Sequence, residues 1–354
     1  MYEKSQMRRE KRVVKTIVLI LLNIIALLTI QSCTDKRLDI PIDSVYSKSA
    51  WFENIRDKNG IEYPISAVNN IFEYGPDSLL IVPEKDNRIY ITNNNLEILE
   101  VISYEDQKER IREPVYSTCL YGKDLYFVDL TLKLKIFNLK KGEIEQLNNG
   151  YCGNNGLSVF NENIMVGTEN NPQLVKGKNE KIICLGYIVR KRENDVIPVM
   201  TNENDYGDIK FLKGEIAFAA IYKEKIYIIF LVSKSVLIYD LEGKFLKREK
   251  VYVGDGYYQT PRIETEKGRE TIIVSGLTMQ PLRYYEGYLS QLVNEKVGNE
   301  VWLICYDENM TPVKKVLMKN TNKPGGTYFS KYWHCNGNIY VTNDFNGITI
   351  FKKD

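Results

Sequence analysis

His334 is the only histidine in the chain, and this limits the acid–base chemistry that the sequence can support. One histidine cannot form the paired imidazoles of an HExxH zinc site. A Ser-His-Asp arrangement would have to use His334, which stands in KYWHCNGN directly before an Asn-Gly turn. A strand-end histidine beside Trp333 is the commoner role for a residue in this position. We therefore predict no metal site and no cofactor, and we favour a binding protein over an enzyme.

Aromatic residues stand beside charged ones in three segments: GDGYYQTPR, MQPLRYYEGYLSQL and GGTYFSKYW. Tyrosine and tryptophan give a large contact area at low entropic cost, and arginine adds bidentate pairing or stacking. Such a set suits a peptide, a glycan or a protein partner. The alternative for any one of them is that it packs its loop onto the protein. The candidate ligand-binding residues are Tyr257, Tyr258, Arg262, Arg283, Tyr284, Tyr285, Tyr332 and Trp333.

The stretch NENDYGD, residues 202–208, partly resembles a calcium-binding loop. Asn202 and Asn204 alternate before Gly207, but Tyr206 occupies a ligand position. No acidic residue closes the loop at its twelfth place, which is Lys213. A solvated turn is the simpler interpretation.

Five cysteines follow Cys33, and an odd number cannot all pair within one chain. Cys184 and Cys305 stand in apolar, strand-like runs, where a free cysteine acts as a small buried hydrophobe. No CxxC motif is present, which disfavours redox or zinc-knuckle chemistry. The sequence leaves disulfide pairing open for Cys119, Cys152, Cys184, Cys305 and Cys335.

The N-terminal segment has the layout of a secretory signal. Residues 1–15 carry six basic side chains, and residues 16–30 form a largely apolar run. Its last residue, Ile30, begins the segment IQSC. Fifteen residues fall short of the roughly 20 that a spanning helix needs. A plain signal peptide or an uncleaved anchor remain the alternatives.

The segment IQSC, residues 30–33, resembles the lipobox of bacterial lipoproteins. The resemblance implies that residues 1–32 are removed and that Cys33 becomes an acylated N-terminus. Several acyl chains, at ~0.8 kcal/mol per buried CH₂, hold a protein stably on a membrane. We expect a lipid-anchored protein of the bacterial cell envelope, most plausibly at the outer membrane.

Net charge argues against nucleic acid as a partner. The whole chain has 48 basic and 46 acidic residues, but six of the basic and two of the acidic side chains precede Cys33. The remaining 322 residues therefore carry 42 basic and 44 acidic side chains. They lack the clustered positive charge of a nucleic-acid-binding surface.

Short β-rich runs bounded by tight polar turns recur through the rest of the chain. The clearest copy is EIAFAAI, KIYIIFL, SVLIYD and KFLKRE, and six copies can be traced. Four-stranded repeats of roughly 40 to 50 residues are typical of a β-propeller. We predict an all-β, six-bladed β-propeller with four-stranded antiparallel blades. A pair of lectin-like sandwiches is the alternative.

The sixth copy, YFSKYWHC, NIYVTN and GITIFKK, has only three strands. We expect residues 37–47, RLDIPIDSVYS, to supply the outermost strand of the last blade. The predicted domains are a signal peptide (1–32), an anchor, tether and closing strand (33–60), and the propeller (61–354).

Two segments carry a family resemblance. NIYVTNDFNGITIF and VLIYDLEGKFLKRE resemble the repeats of YVTN-type and TolB-like six-bladed propellers. The resemblance implies a fold and no particular chemistry, because such folds host unrelated functions. Six-bladed calcium lactonases place carboxylates and asparagines at the channel mouth, where Glu264 and Asn338 could fall. A carboxylate- or calcium-dependent hydrolase is therefore the competing function, and a structural assembly role is a third.

Long connections are expected on one face only, at residues 189–214, 250–262, 276–299 and 318–328. Long loops on a rigid scaffold are where binding usually occurs. We predict that the candidate residues form a binding rim on that face, over blades four to six.

Overall fold

A computed structural model describes residues 40–65, 67–104, 111, 115–151, 155–176, 181–206, 217–230, 233, 235–251, 262–266, 269–273, 282–294, 301–319, 329–343 and 347–354. The expected signal peptide and Cys33 lie outside these residues. Ile42–Asp354 forms one compact unit. Across the described ranges, no helix has the length and apolar character needed to cross a membrane.

The chain is built almost entirely of β-strands. Three strands come first: β1 (Ile42–Phe52), β2 (Asn54–Asp57) and β3 (Glu62–Pro64). Antiparallel units of up to four strands follow, in which consecutive strands pair.

The first two units match the strands expected from the sequence. Unit one consists of β4 (Val68–Gly75), β5 (Ser78–Pro83), β6 (Arg88–Asn93) and β7 (Glu97–Ser103). Unit two consists of β8 (Ser117–Tyr121), β9 (Asp124–Val128), β10 (Lys133–Asn138) and β11 (Glu143–Tyr151). The hairpin β2–β3 adds to unit one through a short parallel pairing of β2 with β7.

Unit three differs from the expectation. It consists of β12 (Asn155–Val159), β13 (Ile164–Lys176), β14 (Lys181–Arg190) and β15 (Asp195–Asn202), followed by a one-turn helix, α1 (Glu203–Tyr206). The run PQLV, expected as a separate strand, is part of β13. The expected loop at 189–214 contains β15 and α1. Pro198 argues against a strand here, because proline cannot donate a hydrogen bond to a neighbouring strand. Proline is tolerated in β15 because β15 is an edge strand.

Unit four matches the prediction closely. It consists of β16 (Ala217–Tyr222), β17 (Lys225–Phe230), β18 (Ser235–Asp240) and β19 (Phe245–Lys250). Both faces of β17 are buried. Tyr227 and Ile229 pack on one side, and Ile226 and Ile228 on the other. This explains why such a strand reads as a nearly continuous apolar run.

Unit five corrects the sequence analysis. The strands expected to begin it, β20 (Arg262–Glu266) and β21 (Arg269–Ile273), pair with each other in a separate two-stranded sheet. The unit consists of β22 (Arg283–Tyr285), β23 (Tyr288–Asn294), β24 (Val301–Tyr306) and β25 (Pro312–Lys319). The expected loop at 276–299 therefore contains two strands.

Unit six consists of β26 (Phe329–Cys335), β27 (Asn338–Asn343) and β28 (Ile348–Lys353). An N-terminal strand pairs with its last strand, as the sequence predicted: β1 runs antiparallel to β28 over residues 46–52. The pairing residues lie mostly beyond the expected segment 37–47. The strand is also not outermost, because residues 42–47 pair in parallel with β25 and join units five and six in one sheet.

The described apolar core divides into six clusters, and each lies between two units. In five of them, side chains of consecutive units pack together: units one and two, two and three, three and four, four and five, and five and six. The remaining cluster packs Trp333 and Tyr340 of unit six against Val68 and Ile81 of unit one. The last unit therefore packs on the first.

The first strand of each unit contacts the first strand of a neighbouring unit. This holds for β4 with β8, β8 with β12, β12 with β16, β22 with β26, and β26 with β4. We call these six strands, β4, β8, β12, β16, β22 and β26, the first strands.

Candidate binding site on the first strands

Polar side chains join neighbouring first strands by hydrogen bonds. Between β4 and β8, the amide nitrogen of Asn70 donates to the carbonyl oxygen of Thr118 over 3.0 Å. Between β8 and β12, the backbone N–H of Leu157 donates to the hydroxyl of Ser117 over 2.7 Å. Small polar side chains here satisfy backbone groups that the sheets leave unpaired.

The series continues through units four and five. The backbone N–H of Ile221 on β16 donates to Ser158 Oγ on β12 over 3.1 Å, and the hydroxyl of Tyr284 on β22 donates to the Ile221 carbonyl. Burial raises the pKa of Tyr284 to about 12, so this hydroxyl keeps its proton near neutral pH. A tyrosine expected to bind a ligand thus also links two sheets.

Arg283 links unit five to unit one. Its Nη1 donates to Asn70 Oδ1 over 2.9 Å, and its guanidinium carbon lies 4.8 Å from the centre of the Trp333 ring. The indole N–H of Trp333 donates to the same oxygen of Asn70. Because Asn70 also donates to Thr118, its side-chain amide is fixed in orientation.

The charge of Arg283 is only partly compensated. Burial lowers the pKa of Arg283 from 12.5 to about 10, so the side chain is still protonated at neutral pH. Its Nε is buried and has no hydrogen-bond partner among the described residues. Within the same residues, no carboxylate lies at ion-pair distance from it. A partly buried cation without a counter-charge is energetically unfavourable.

Lys331 lies on the same face of β26 as Trp333 and is fully paired. Its Nζ donates to Glu84 Oε1 over 2.5 Å and to the Val68 carbonyl over 2.9 Å. The two basic side chains therefore differ: Lys331 has a carboxylate partner, whereas Arg283 has an amide and a ring.

The structure describes only some of the predicted site residues, and three of them lie in a strand rather than in a loop. Tyr257 and Tyr258 are outside the described residues, and of Arg262 only the backbone, in β20, is described. The expectation that Arg283, Tyr284 and Tyr285 lie in a surface loop is wrong, because they form β22.

Tyr285, Tyr332 and Trp333 are packed inside the protein rather than on a rim. Tyr285 and Tyr332 are fully buried in the cluster between units five and six, and Trp333 is buried between units six and one. Direct contact with a ligand is therefore not expected of Tyr285 or Tyr332. Tyr284 keeps 47% of its surface exposed.

Asn70 is the site residue that sequence analysis missed. It stands in NNIFEY, a segment for which the sequence predicts a strand and no binding residue. An asparagine inside an apolar strand was a usable signal, because a partly buried amide favours hydrogen-bond partners in the protein. Those partners come from three other units, which no local pattern reveals.

His334 takes a structural position. Its ring lies 4.6 Å from that of Tyr285, and its buried Nε2 has no hydrogen-bond partner among the described residues. Burial lowers the pKa of His334 below its usual value, against the attraction of Glu286 and Glu73. No Ser-His-Asp arrangement occurs in the part of the chain that the structure describes.

The calcium-like stretch forms a helix turn. Asn202 Oδ1 accepts a hydrogen bond from the backbone N–H of Asp205 over 2.8 Å, the pattern of a helix N-cap. Tyr206 is buried against Phe230, so the stretch is not the solvated turn that we expected. The described residues hold no group of three or more potential metal ligands.

Neither lactonase candidate is placed in such a site. Asn338 begins β27 and donates a long, 3.4 Å hydrogen bond to Tyr340. The side chain of Glu264 is outside the described part.

Cys119, Cys184, Cys305 and Cys335 form no disulfide within the described part of the chain, and Cys152 lies outside it. Cys184 and Cys305 are buried, as their apolar runs predicted.

A second candidate site is an open groove of about 1040 Å³ beside β1, β2 and β7. Its lining mixes charged side chains, such as Arg56 and Glu97, with the partly exposed Trp51 and Leu99.

Comparisons with known proteins establish no family. No protein family matches the sequence, and no curated protein does. A similar solved structure is that of the computationally designed Ika8 protein, which is 8% identical. The match covers 86% of this chain and 98% of that chain, with a TM-score of 0.44. At that TM-score the similarity does not establish the fold.

Proposed function

We propose that this chain is a six-bladed β-propeller in which each four-stranded unit is one blade and β1 completes the sixth. The supporting observation is the set of six core clusters, each between consecutive units, with the last uniting unit six and unit one. A row of sheets would leave its end units unpacked. Two separate sandwiches would not pair each unit with two neighbours.

The proposed location is the bacterial cell envelope, at the outer membrane. The support is the sequence alone: a basic segment, a short apolar run and a lipobox-like IQSC ending at Cys33. Acylation of Cys33 would hold the propeller at the membrane surface.

The proposed activity is non-enzymatic binding of a peptide, glycan or protein partner in the space bordered by the first strands. Arg283 carries this proposal, because its guanidinium has no carboxylate partner among the described residues and lies beside the indole ring of a neighbouring unit. Arginine and aromatic side chains are enriched at the energetic centres of binding sites. Tyr284, next along β22, adds a half-exposed ring.

Site-specific photo-crosslinking in envelope vesicles would test this activity. Tyr284 and, as a matched control, Tyr121 are each replaced by a photoreactive phenylalanine; these two side chains are 47% and 42% exposed. We expect a discrete adduct from position 284 and none from position 121. An adduct only from the same replacement at Trp51 would locate binding in the groove instead. Absence of any adduct from position 284 would contradict the proposal.

A further inference from the structure

Among the described residues, the polar contacts of Arg283 leave its Nε and Nη2 donors without hydrogen-bond partners. Of its five N–H donors, an Nη1 donor bonds Asn70, while neither Nε nor Nη2 donates to a described residue. One face of the group lies over Trp333. Because Nε is buried, a ligand would reach the guanidinium at Nη2, and arginine N–H donors of this kind form charge-assisted hydrogen bonds with carboxylates.

The Arg283 side chain reaches past unit six to contact unit one. β26 contacts both β22 and β4, so it stands between them in the order of the first strands. Arg283 nevertheless reaches from β22 to Asn70 on β4. On the way it passes Trp333 of β26, whose ring its guanidinium lies over and whose indole N–H donates to the same Asn70 oxygen.

Lys331 cannot take the place of Arg283 as the cation that binds a ligand. It already forms an ion pair with Glu84, so it adds no free positive charge. Asn70 offers a neutral oxygen where an aspartate would have formed an internal ion pair with Arg283. Arg283 is therefore a positively charged side chain without a carboxylate partner among the described residues.

We propose that Arg283 binds a carboxylate group of the ligand, and that Asn70 and Trp333 act as positioning residues for its guanidinium. This inference rests on the proposed function, since it names the chemical group that the binding site selects. A carboxylate can come from a peptide C-terminus or from an acidic sugar, and both present the same planar pair of oxygens.

Isothermal titration calorimetry on the full chain in detergent would test the inference with four probes. These are N-acetyl-trialanine, its C-terminal amide, glucuronate and inorganic phosphate. We expect saturable binding of the trialanine acid or of glucuronate, and at least tenfold weaker binding of the amide. The probe that binds identifies the source of the carboxylate. Binding of phosphate alone, or of no probe, would overturn the inference.

Two variants assign the binding to Arg283. Arg283→Gln removes the charge and is expected to weaken binding at least tenfold. The control Arg192→Gln removes an exposed arginine that is paired with Glu162, away from both candidate sites, and should leave affinity unchanged. Equal affinities in these two variants would overturn the assignment.

Asn70→Asp covers the case in which Arg283→Gln does not fold. The new carboxylate would pair with Arg283 and compete with the ligand, so binding should fall at least tenfold while the protein still unfolds cooperatively. Unchanged affinity in Asn70→Asp would overturn the inference. Photo-crosslinking from position 284 that persists when every carboxylate fails would leave the proposed binding function standing without it.

Discussion

Arg283 and Asn70 stand 213 positions apart in the sequence, yet the guanidinium of one donates a 2.9 Å hydrogen bond to the side-chain oxygen of the other. The contact joins the first strands of units five and one past the intervening unit six. Asn70 in turn donates to Thr118 in unit two, and Trp333 of unit six donates to Asn70. One small amide thus connects four units, which makes it a sensitive point for both stability and binding.

Tyr46 tests the role of the N-terminal strand. It is 1% exposed, and its ring packs edge-on against Tyr285. Replacing it by alanine should lower the free energy of unfolding by about 3 kcal/mol, because an aromatic side chain leaves a cavity. Ile42 on the same strand is 53% exposed, and Ile42→Ala should change it by less than about 0.5 kcal/mol. Chemical denaturation of both variants measures this, and equal small effects would show that β1 is only a tether.

Gly156 tests the close approach of β12 to β16. Its φ is +58°, and a Cβ would lie 2.4 Å from the backbone nitrogen of Ala219. Gly156→Ala should therefore cost more than the roughly 1–2 kcal/mol of a left-handed alanine alone. Gly142→Ala is the control, because its φ is +70° with nothing within 4 Å of the added atom. Urea denaturation should show the larger loss for Gly156→Ala, and equal losses would argue against tight packing of these strands.

Tyr284 and Tyr285 are adjacent in sequence but should respond differently to truncation. Tyr285 is fully buried, and its hydroxyl lies 3.0 Å from that of Ser44. Tyr285→Ala should cost about 3–5 kcal/mol in unfolding free energy. Tyr284→Ala removes a half-exposed ring and one hydrogen bond, worth about 1 kcal/mol. Thermal and chemical melts would reveal the ranking, and a larger effect at Tyr284 would contradict the burial pattern.

His334 should make stability depend on pH in the mildly acidic range. Burial lowers its pKa in the folded protein below 6.5, so the unfolded chain binds more protons there. The free energy of unfolding should therefore fall as pH decreases from about 6.5, and His334→Gln should flatten this slope. Because the chain has one histidine, its imidazole signal in a proton NMR titration is unambiguous. A midpoint at or above 6.5 would refute the assignment.

Cys33 tests the predicted anchor. Cys33→Ser should abolish labelling by a fatty-acid probe and release the protein from the membrane fraction, because the lipobox-like segment directs acylation to this thiol. Cys119→Ser is the matched control and should leave labelling intact, since that thiol is half-buried within β8. Persistent labelling of Cys33→Ser would show that the N-terminal segment is another kind of signal.

The sequence by itself determined most strands and the pairing of the N-terminus with the last strand. Local signals were sufficient there, since apolar runs such as KIYIIF lie between tight turns. It failed at the start of unit five, where β22 has three residues and reads as an aromatic loop. Its turn, Glu286 and Gly287, has positive φ at both positions, like Asn336 and Gly337 in unit six. Such a turn is typical of two-residue hairpins, and glycine at its second position is the feature of the sequence that indicates it.

Only the tertiary structure decided which residues form the candidate site. Local pattern indicates that a strand exists but not which strand it packs against, because that depends on packing between units distant in the chain. Tyr285 and Tyr332 became core residues for this reason, although their sequence context resembles that of Tyr284. Asn70 entered the site because units two, five and six all reach it. A partly buried amide finds its partners wherever the fold supplies them, and those of Asn70 lie 48, 213 and 263 positions away.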